Sequence, residues 1–229
     1  MGCIQSIAEN GGQGHLFPPT HHSKISSAAL YNALPTEFET HKVSRVYDGD
    51  TLTLENGKRV RFLGIDCPEI SEKQPFAQEA KDFVSAQCLE KDVFFSFEPN
   101  SEKNDHYGRL LAWVWVLAKQ EDKNDSGRVR YLNLNEALIV EGLANVYTPG
   151  RKKLQNVEKM ISLQKKAREN KRGKWGSFRD ISVYKTRNGK AFHKKDCKHL
   201  SRSKHLIKGF ASAFSDEGLY PCRTCLPEM

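Results

Sequence analysis

The feature that most constrains this chain is a pair of alternating segments on either side of Asn56-Gly57. Asn-Gly is the strongest two-residue signal for a β-hairpin, because both residues accept the left-handed backbone of a tight turn. Polar and apolar residues alternate through 51–54 before the turn and through 59–64 after it. The two segments are therefore predicted to pair as antiparallel strands that return the chain to the level at which it left.

Three carboxylates flank this hairpin. Asp50 opens the first strand and Asp66 closes the second, so the hairpin makes them neighbours, and Glu69 follows in an irregular turn. Two aspartates and a glutamate at one end of a sheet predict a hard-oxygen site of the kind that Ca²⁺ or Mg²⁺ prefers. Arg61 shares a strand face with apolar residues. Burial of its charged guanidinium there is costly unless an anion is bound beside it, and a phosphate would be a suitable anion.

The same alternation recurs along the middle of the chain and predicts an α+β fold built on a small barrel. The predicted strands are 42–47, 51–54, 59–64, 93–97 and 110–117. Between the third and fourth strands, apolar residues at helical spacing follow Pro75 and predict a helix that reaches Cys88. A five-stranded barrel with a helix in that place is the oligonucleotide-binding (OB) arrangement. Two further helices are predicted, one from a capping pattern at Asn133 to about Asn145, and one over 151–172.

The charge of the chain favours a polyanionic partner. The formal net charge is +8 and the isoelectric point is about 9.1, and Lys and Arg outnumber Asp and Glu by ten to four over 181–229. A basic surface that only keeps the protein in solution is the alternative interpretation. The polar segment 118–130 is predicted to be an exposed loop, and no function is assigned to it.

A metal site is predicted near the C-terminus. Six cysteines are too few and too unevenly placed for a disulfide framework, which favours a reducing compartment. His193 and Cys197 form an HxxxC pair, and Cys222 and Cys225 form a CxxC pair. This spacing is typical of two knuckles that close one tetrahedral Zn²⁺ site, with His199 as a competing ligand. A small zinc-binding domain with a structural or nucleic-acid-binding role is therefore expected at 182–229.

The N-terminal segment 1–40 shows neither helical nor strand periodicity and is expected to be a flexible tail. Its first residues, MGCIQS, match the myristoylation pattern at Gly2, and Cys3 is a candidate for palmitoylation. In a eukaryotic host these two signals would attach the protein to the cytoplasmic face of a membrane; otherwise a cytoplasmic protein is expected. No secretory signal and no membrane-spanning segment are evident in the sequence.

Five motifs resemble the staphylococcal nuclease (thermonuclease) family, in matching order and approximate spacing. They are DGDT at 48–51, RFLGIDCPE at 61–69, DHYGR at 105–109, LNEALIVEGLA at 134–144 and KRGKW at 171–175. The resemblance covers about 43–175, and the catalytic domain is expected over 41–179. It implies a Ca²⁺-dependent phosphodiesterase that acts on single-stranded DNA and RNA and leaves 3′-phosphates. The protein is expected to be a monomer.

The resemblance also implies individual roles. It assigns Asp50, Asp66 and the backbone carbonyl of Cys67 to Ca²⁺, Glu69 to the general base, and Arg61 and Arg109 to the substrate phosphate. Cys67 stands where the family's bacterial prototype has threonine, and because a thiolate is a poor Ca²⁺ ligand its side chain is expected to face inward. Tyr107 is similar to a tyrosine beside the nucleotide phosphate, and Tyr147 is a candidate for base stacking; ordinary packing is the alternative for both.

Two alternatives remain for the chain as a whole. Degenerate members of this family bind nucleic acid without cutting it, but they lose the acidic cluster or the arginines, and both are present here. A membrane-tethered adaptor would depend on MGCIQS alone. The C-terminal tail resembles the small metal-binding domain of the Ada DNA-repair protein.

Overall fold

The computed structural model describes residues 27–99, 102–118, 129–148, 154–227 and 229. Gly2 and Cys3, with most of the predicted N-terminal tail and of the 118–130 loop, lie outside the described residues. The strands up to the third helix are β1 (Leu30–Tyr31), β2 (Glu39–Val46), β3 (Thr51–Leu54), β4 (Arg59–Phe62), β5 (Ile65–Asp66), β6 (Asp92–Ser96), β7 (Leu110–Leu117), β8 (Tyr131–Asn133) and β9 (Asn145–Val146). The helices are α1 (Ala77–Cys88), α2 (Leu134–Val140) and α3 (Val157–Glu169).

Five of these strands close a mixed barrel, as predicted. β3 pairs antiparallel with β2 and with β4, β4 runs parallel to β7, and β6 pairs antiparallel with both β7 and β2. The predicted turn joins β3 to β4, but residues 55–58 separate the two strands, and of the Asn-Gly pair only Gly57, with a φ of 79°, has the left-handed backbone. In this barrel α1 lies between the third and fourth of the five strands, β4 and β6. The arrangement confirms the predicted OB-type fold.

The second strand of the hairpin is shorter than predicted. β4 ends at Phe62, and the chain turns at Gly64, which has a φ of 73° and a neighbour so close that an added Cβ would lie 2.8 Å from Met160. The next two residues form β5, which pairs with β9 so that Asp66 lies opposite Asn145. Asp66 is therefore placed by a separate short strand and not by the end of the hairpin.

The helices cover the barrel with the faces that the sequence predicts. α1 buries Ala80, Val84 and Cys88 against the core, although it begins at Ala77 and not at Pro75. The side chain of Asn133 accepts a hydrogen bond of 3.0 Å from the backbone N–H of Glu136, which confirms the predicted cap of α2. α2 is shorter than predicted: it ends at Val140, and the chain then enters β9 at Asn145. α3 lies within the predicted 151–172 but is shorter at both ends.

The C-terminal segment adds a small second cluster of buried residues. Its elements are β10 (Ser182–Thr186), β11 (Ala191–Phe192), β12 (Leu206–Phe210), α4 (Ala211–Asp216) and β13 (Tyr220–Pro221). Val183, Phe192 and Phe214 lie at the centre of this cluster. Arg168 of α3 forms an ion pair of 2.7 Å with Asp216 and so ties the segment to the barrel side. None of the helices in the described part of the chain is long and apolar enough to cross a membrane.

Candidate active site

Asp50 is buried at the turn that leads into β3, with a fractional exposure of 3%. Its Oδ2 accepts a hydrogen bond of 2.7 Å from the backbone N–H of Cys67, and its Oδ1 accepts one of 3.1 Å from the hydroxyl of Thr51. Its own backbone N–H donates to Oδ1 of Asp48 over 3.1 Å. The carboxylate is thereby held in one orientation, at the junction of the hairpin and β5.

Arg61 joins the two aspartates. Its Nη2 lies 3.0 Å from Oδ2 of Asp50 and 3.0 Å from Oδ1 of Asp66, and its Nη1 donates to the carbonyls of Phe62 and Ile65 over 2.8 and 2.9 Å. The guanidinium is therefore satisfied within the protein by two carboxylates. The anionic partner that the sequence required for this buried arginine is present in the fold itself.

Glu69 completes the carboxylate cluster, which we define as Asp48, Asp50, Asp66 and Glu69. It is half-buried in the irregular segment after β5, and its backbone N–H donates to Oε1 of Gln74 over 2.9 Å. Burial raises the pKa of its carboxyl, and the charges of Asp50 and Asp66 raise it further, while Arg223 and Arg61 oppose the shift. The pKa of Glu69 is therefore higher than that of an exposed glutamate, which makes it a stronger base.

The buried carboxylates of the cluster repel one another, and Arg61 offsets this repulsion only in part. Burial raises the pKa of Asp50 to about 7; Arg61 opposes this, and the neighbouring Asp48 and Asp66 add to it. Burial likewise raises the pKa of Asp48, whose only signal in the sequence was that of a turn residue. A set of hard oxygen donors whose charged forms disfavour one another fits a divalent cation such as Ca²⁺.

Cys67 follows Asp66 with its side chain buried, at 5% exposure, which confirms that the thiol faces inward. An added Cβ on Gly49 would lie 2.8 Å from its sulfur, so the turn before Asp50 packs directly on this side chain. Burial raises the pKa of the thiol well above its usual range, and the nearby Asp50 adds to this. The thiol is therefore protonated, and only the carbonyl of Cys67 is a suitable oxygen donor.

Arg109 and Tyr107 lie in a separate turn before β7. Asp105 accepts a hydrogen bond of 2.7 Å from Nε of Arg109, and the guanidinium lies 5.4 Å from the ring centre of Tyr107, which is 72% exposed. Among the described ion pairs, that of Arg109 is with Asp105, so no contact joins this arginine to the carboxylate cluster. In the part of the chain that the structure describes, its two terminal nitrogens make no hydrogen bond and are available to a ligand.

Several residues at the site carried no functional signal in the sequence. Arg223, between two of the candidate zinc ligands, contacts both carboxylate oxygens of Asp66, with Nε at 3.1 Å from Oδ2. Its guanidinium lies 5.1 Å from the ring centre of Tyr147, which is half-buried and also contacts Tyr220 edge to face. Lys174 is buried nearby; burial lowers its pKa to about 8, and Asp66 and Cys67 oppose this shift.

The four predicted zinc ligands come together. The candidate ligand atoms of His193, Cys197, Cys222 and Cys225 all lie within 4.8 Å of one another. Nδ1 of His193 is buried without a hydrogen-bond partner, an arrangement that a metal ion would satisfy. Burial lowers the pKa of His193, and His199 lowers it further, which favours the neutral imidazole that metals bind. The competing ligand His199 instead contacts the hydroxyl of Thr224 over 2.9 Å.

Comparison with known proteins finds one family. Residues 59–177, just over half of the chain, match the model of the family described as staphylococcal nuclease homologue. The thermonuclease of Staphylococcus hyicus is 32% identical over 69% of this chain and 86% of its own length. The endonuclease YncB of Bacillus subtilis is 28% identical over 66% of this chain and 72% of its own length. A probable endonuclease of Pyricularia oryzae is 28% identical over 82% of this chain and 66% of its own length. The family match ends before the C-terminal cysteines.

Proposed function

Because the chain belongs to the staphylococcal nuclease homologue family, which supports a nuclease role, we propose that it is a Ca²⁺-dependent phosphodiesterase. In this proposal it cuts single-stranded DNA and RNA and leaves 3′-phosphates. The observation that carries it is the carboxylate cluster, in which Arg61 joins Asp50 to Asp66 and the half-buried Glu69 lies beside them.

Asp50, Asp66 and the carbonyl of Cys67 are the residues that would hold Ca²⁺. The donor set is all oxygen. Burial raises the pKa of Asp50, and repulsion from Asp48 and Asp66 raises it further; a bound cation would relieve this repulsion. When bound, such a cation polarises a phosphoryl oxygen of the substrate. The protein's part is to hold Asp50 in place through the N–H of Cys67, so that the site does not have to be ordered during binding.

Glu69 accepts the proton of the attacking water. The water oxygen forms a bond to phosphorus while the bond from phosphorus to O5′ breaks, and the departing O5′ takes a proton from solvent. The water's proton passes to a carboxylate oxygen of Glu69, whose pKa is raised by burial and by Asp50 and Asp66. A base with a raised pKa removes a proton more readily than an exposed carboxylate does.

The two arginines of the proposal differ in how they are held. Arg61 uses both terminal nitrogens on carboxylates and carbonyls, so it is rigid and acts first as the organiser of Asp50 and Asp66. Arg109 is fixed through Nε by Asp105 and keeps its terminal nitrogens free to donate to a phosphate. Guanidinium donors are most valuable in the transition state, where the phosphate oxygens carry the most charge. Tyr107 and Tyr147 remain candidates for contact with the nucleotide.

The C-terminal residues 182–229 form a zinc-binding unit in this proposal. His193, Cys197, Cys222 and Cys225 would hold one Zn²⁺ with no open position, so its role is structural or in binding nucleic acid. The surplus of Lys and Arg over Asp and Glu in this segment favours contact with a polyanion.

Cleavage of labelled single-stranded DNA and RNA by the full-length protein tests the proposal. With Ca²⁺ we expect products that end in 3′-phosphate, and a chelator should abolish their formation. A protein that binds the oligonucleotides and cuts neither of them, at any Ca²⁺ concentration, would instead be a non-catalytic nucleic-acid-binding barrel.

A further inference from the structure

The last residues of the chain lie directly against the carboxylate cluster. Arg223 donates to both oxygens of Asp66, with Nε at 3.1 Å from Oδ2. The carbonyl of Met229 accepts a hydrogen bond of 2.6 Å from the side chain of Asn145, the residue opposite Asp66 in the β5–β9 pair. Tyr220 contacts Tyr147 with ring centres 4.7 Å apart. The C-terminal segment therefore covers both a candidate metal ligand and the candidate stacking tyrosine.

A cation at Asp66 has to compete with these contacts. Ca²⁺ coordinates carboxylate oxygens at about 2.3–2.6 Å, which leaves no room for a guanidinium on the same lone pairs. Oδ1 of Asp66 already receives Arg61 and Arg223, and Oδ2 receives Arg223. A second positive charge beside a divalent cation is also repelled by it. These donors take three of the four lone-pair positions of the carboxylate, so a metal that needs more than the one left on Oδ2 displaces an arginine.

Arg223 is the arginine that is free to leave. The side chain of Arg61 is only 10% exposed and is held by Asp50 and two carbonyls as well as by Asp66. The side chain of Arg223 is 56% exposed, and in the described contacts its hydrogen bonds are those to Asp66. Its backbone is fixed by a tight turn, in which the N–H groups of Cys225 and Leu226 donate to the carbonyl of Cys222. The side chain can therefore swing away without unfolding the turn.

We propose that Arg223 is a further residue of the nuclease site, which competes with the catalytic cation for Asp66 and so sets the Ca²⁺ concentration at which the site fills. The inference rests on the proposed function, because it takes Asp66 as a Ca²⁺ ligand. It makes the C-terminal segment a determinant of metal affinity, in addition to its own zinc site. Displacement of Arg223 also uncovers one face of Tyr147, so metal binding and access of a nucleotide base are expected to rise together.

Calorimetric titration of the full-length protein with Ca²⁺, without substrate, tests this role. Arg223→Ala should bind Ca²⁺ more tightly than the wild type, by about twofold to fivefold, the scale of an ion pair whose arginine is mostly exposed. Arg223→Lys keeps the charge but cannot span both oxygens, so its affinity should lie between the two. Arg187→Ala is the matched control, because it removes the same charge from an exposed turn of the same segment. Its affinity for Ca²⁺ should equal that of the wild type.

The outcomes separate this inference from the proposed function. If Arg223→Ala binds Ca²⁺ no more tightly than the wild type while Asp50→Asn binds it more weakly, the metal site stands and the role of Arg223 is wrong. If turnover of Arg223→Ala at saturating Ca²⁺ falls tenfold or more, Arg223 acts on the substrate, which also overturns the inference. If the wild type binds no Ca²⁺, the proposed metal site fails and the inference fails with it.

Discussion

Lys174 gives a stability prediction whose size changes with pH. The side chain is buried beside Asp66 and Cys67, and burial lowers its pKa from the usual 10.5 to about 8. The folded protein therefore binds this proton less tightly than the unfolded chain does. Between pH 8 and 10.5 the unfolded chain holds more protons at this lysine, so raising the pH stabilises the fold. Below pH 8 Lys174 is charged in both states, and the full cost of burying that charge is present.

The magnitude follows from the two pKa values. Their difference corresponds to about 3 kcal/mol of destabilisation at neutral pH. Lys174→Met keeps a long unbranched side chain without the charge. At pH 7 in Ca²⁺-free buffer we therefore expect the variant to have a free energy of unfolding about 2–3 kcal/mol above that of the wild type. The difference should shrink to about 1 kcal/mol at pH 10.

Urea denaturation of both proteins at pH 7 and pH 10 measures this difference. Lys165→Met is the matched control, because Lys165 is exposed on α3, and its free energy of unfolding should change by no more than about 0.5 kcal/mol at either pH. A Lys174→Met protein that is less stable than the wild type at pH 7 would refute the argument. So would an advantage of equal size at both pH values.

Three further predictions concern the metals and the N-terminus. Asp50→Asn should weaken Ca²⁺ binding, and excess Ca²⁺ should recover part of its cleavage activity; activity that no Ca²⁺ concentration restores would mean that Asp50 is not simply a ligand. The full-length protein should contain one Zn²⁺ per chain by elemental analysis, and Cys225→Ala should lose it; a metal-free wild type that keeps its C-terminal fold would contradict the site. In a eukaryotic host, mass spectrometry of the native protein should find Gly2 acylated, and a retained Met1 would exclude this.

Local signals in the sequence were sufficient to predict the barrel. Asn56-Gly57 determined the turn between β3 and β4, and alternation located the five barrel strands to within a few residues. The Asn133 cap, three residues before Glu136, located the start of α2. In each case the residues that form the element carry its pattern themselves, so no distant contact was needed to recognise it.

The parts that sequence reasoning missed depend on distant contacts. β5 and β9 have two residues each, too few for any periodicity, and each exists because the other is there to pair with it. Asp48 has the signature of a turn residue, and only the folded structure shows that it is buried beside Asp50. Arg223 lies 157 residues from Asp66 in the sequence, and a long-range ion pair of this kind leaves no local trace.

Turnover of Glu69→Gln on single-stranded DNA at saturating Ca²⁺ tests the nuclease assignment most directly. The substitution keeps the shape of the side chain but removes its ability to accept a proton, so turnover should fall by ~10² or more while affinity for the oligonucleotide is unchanged. Glu79→Gln, the same change at an exposed position of α1, should behave as the wild type. Wild-type turnover in Glu69→Gln would contradict the assignment, because the carboxylate cluster would then not perform the reaction.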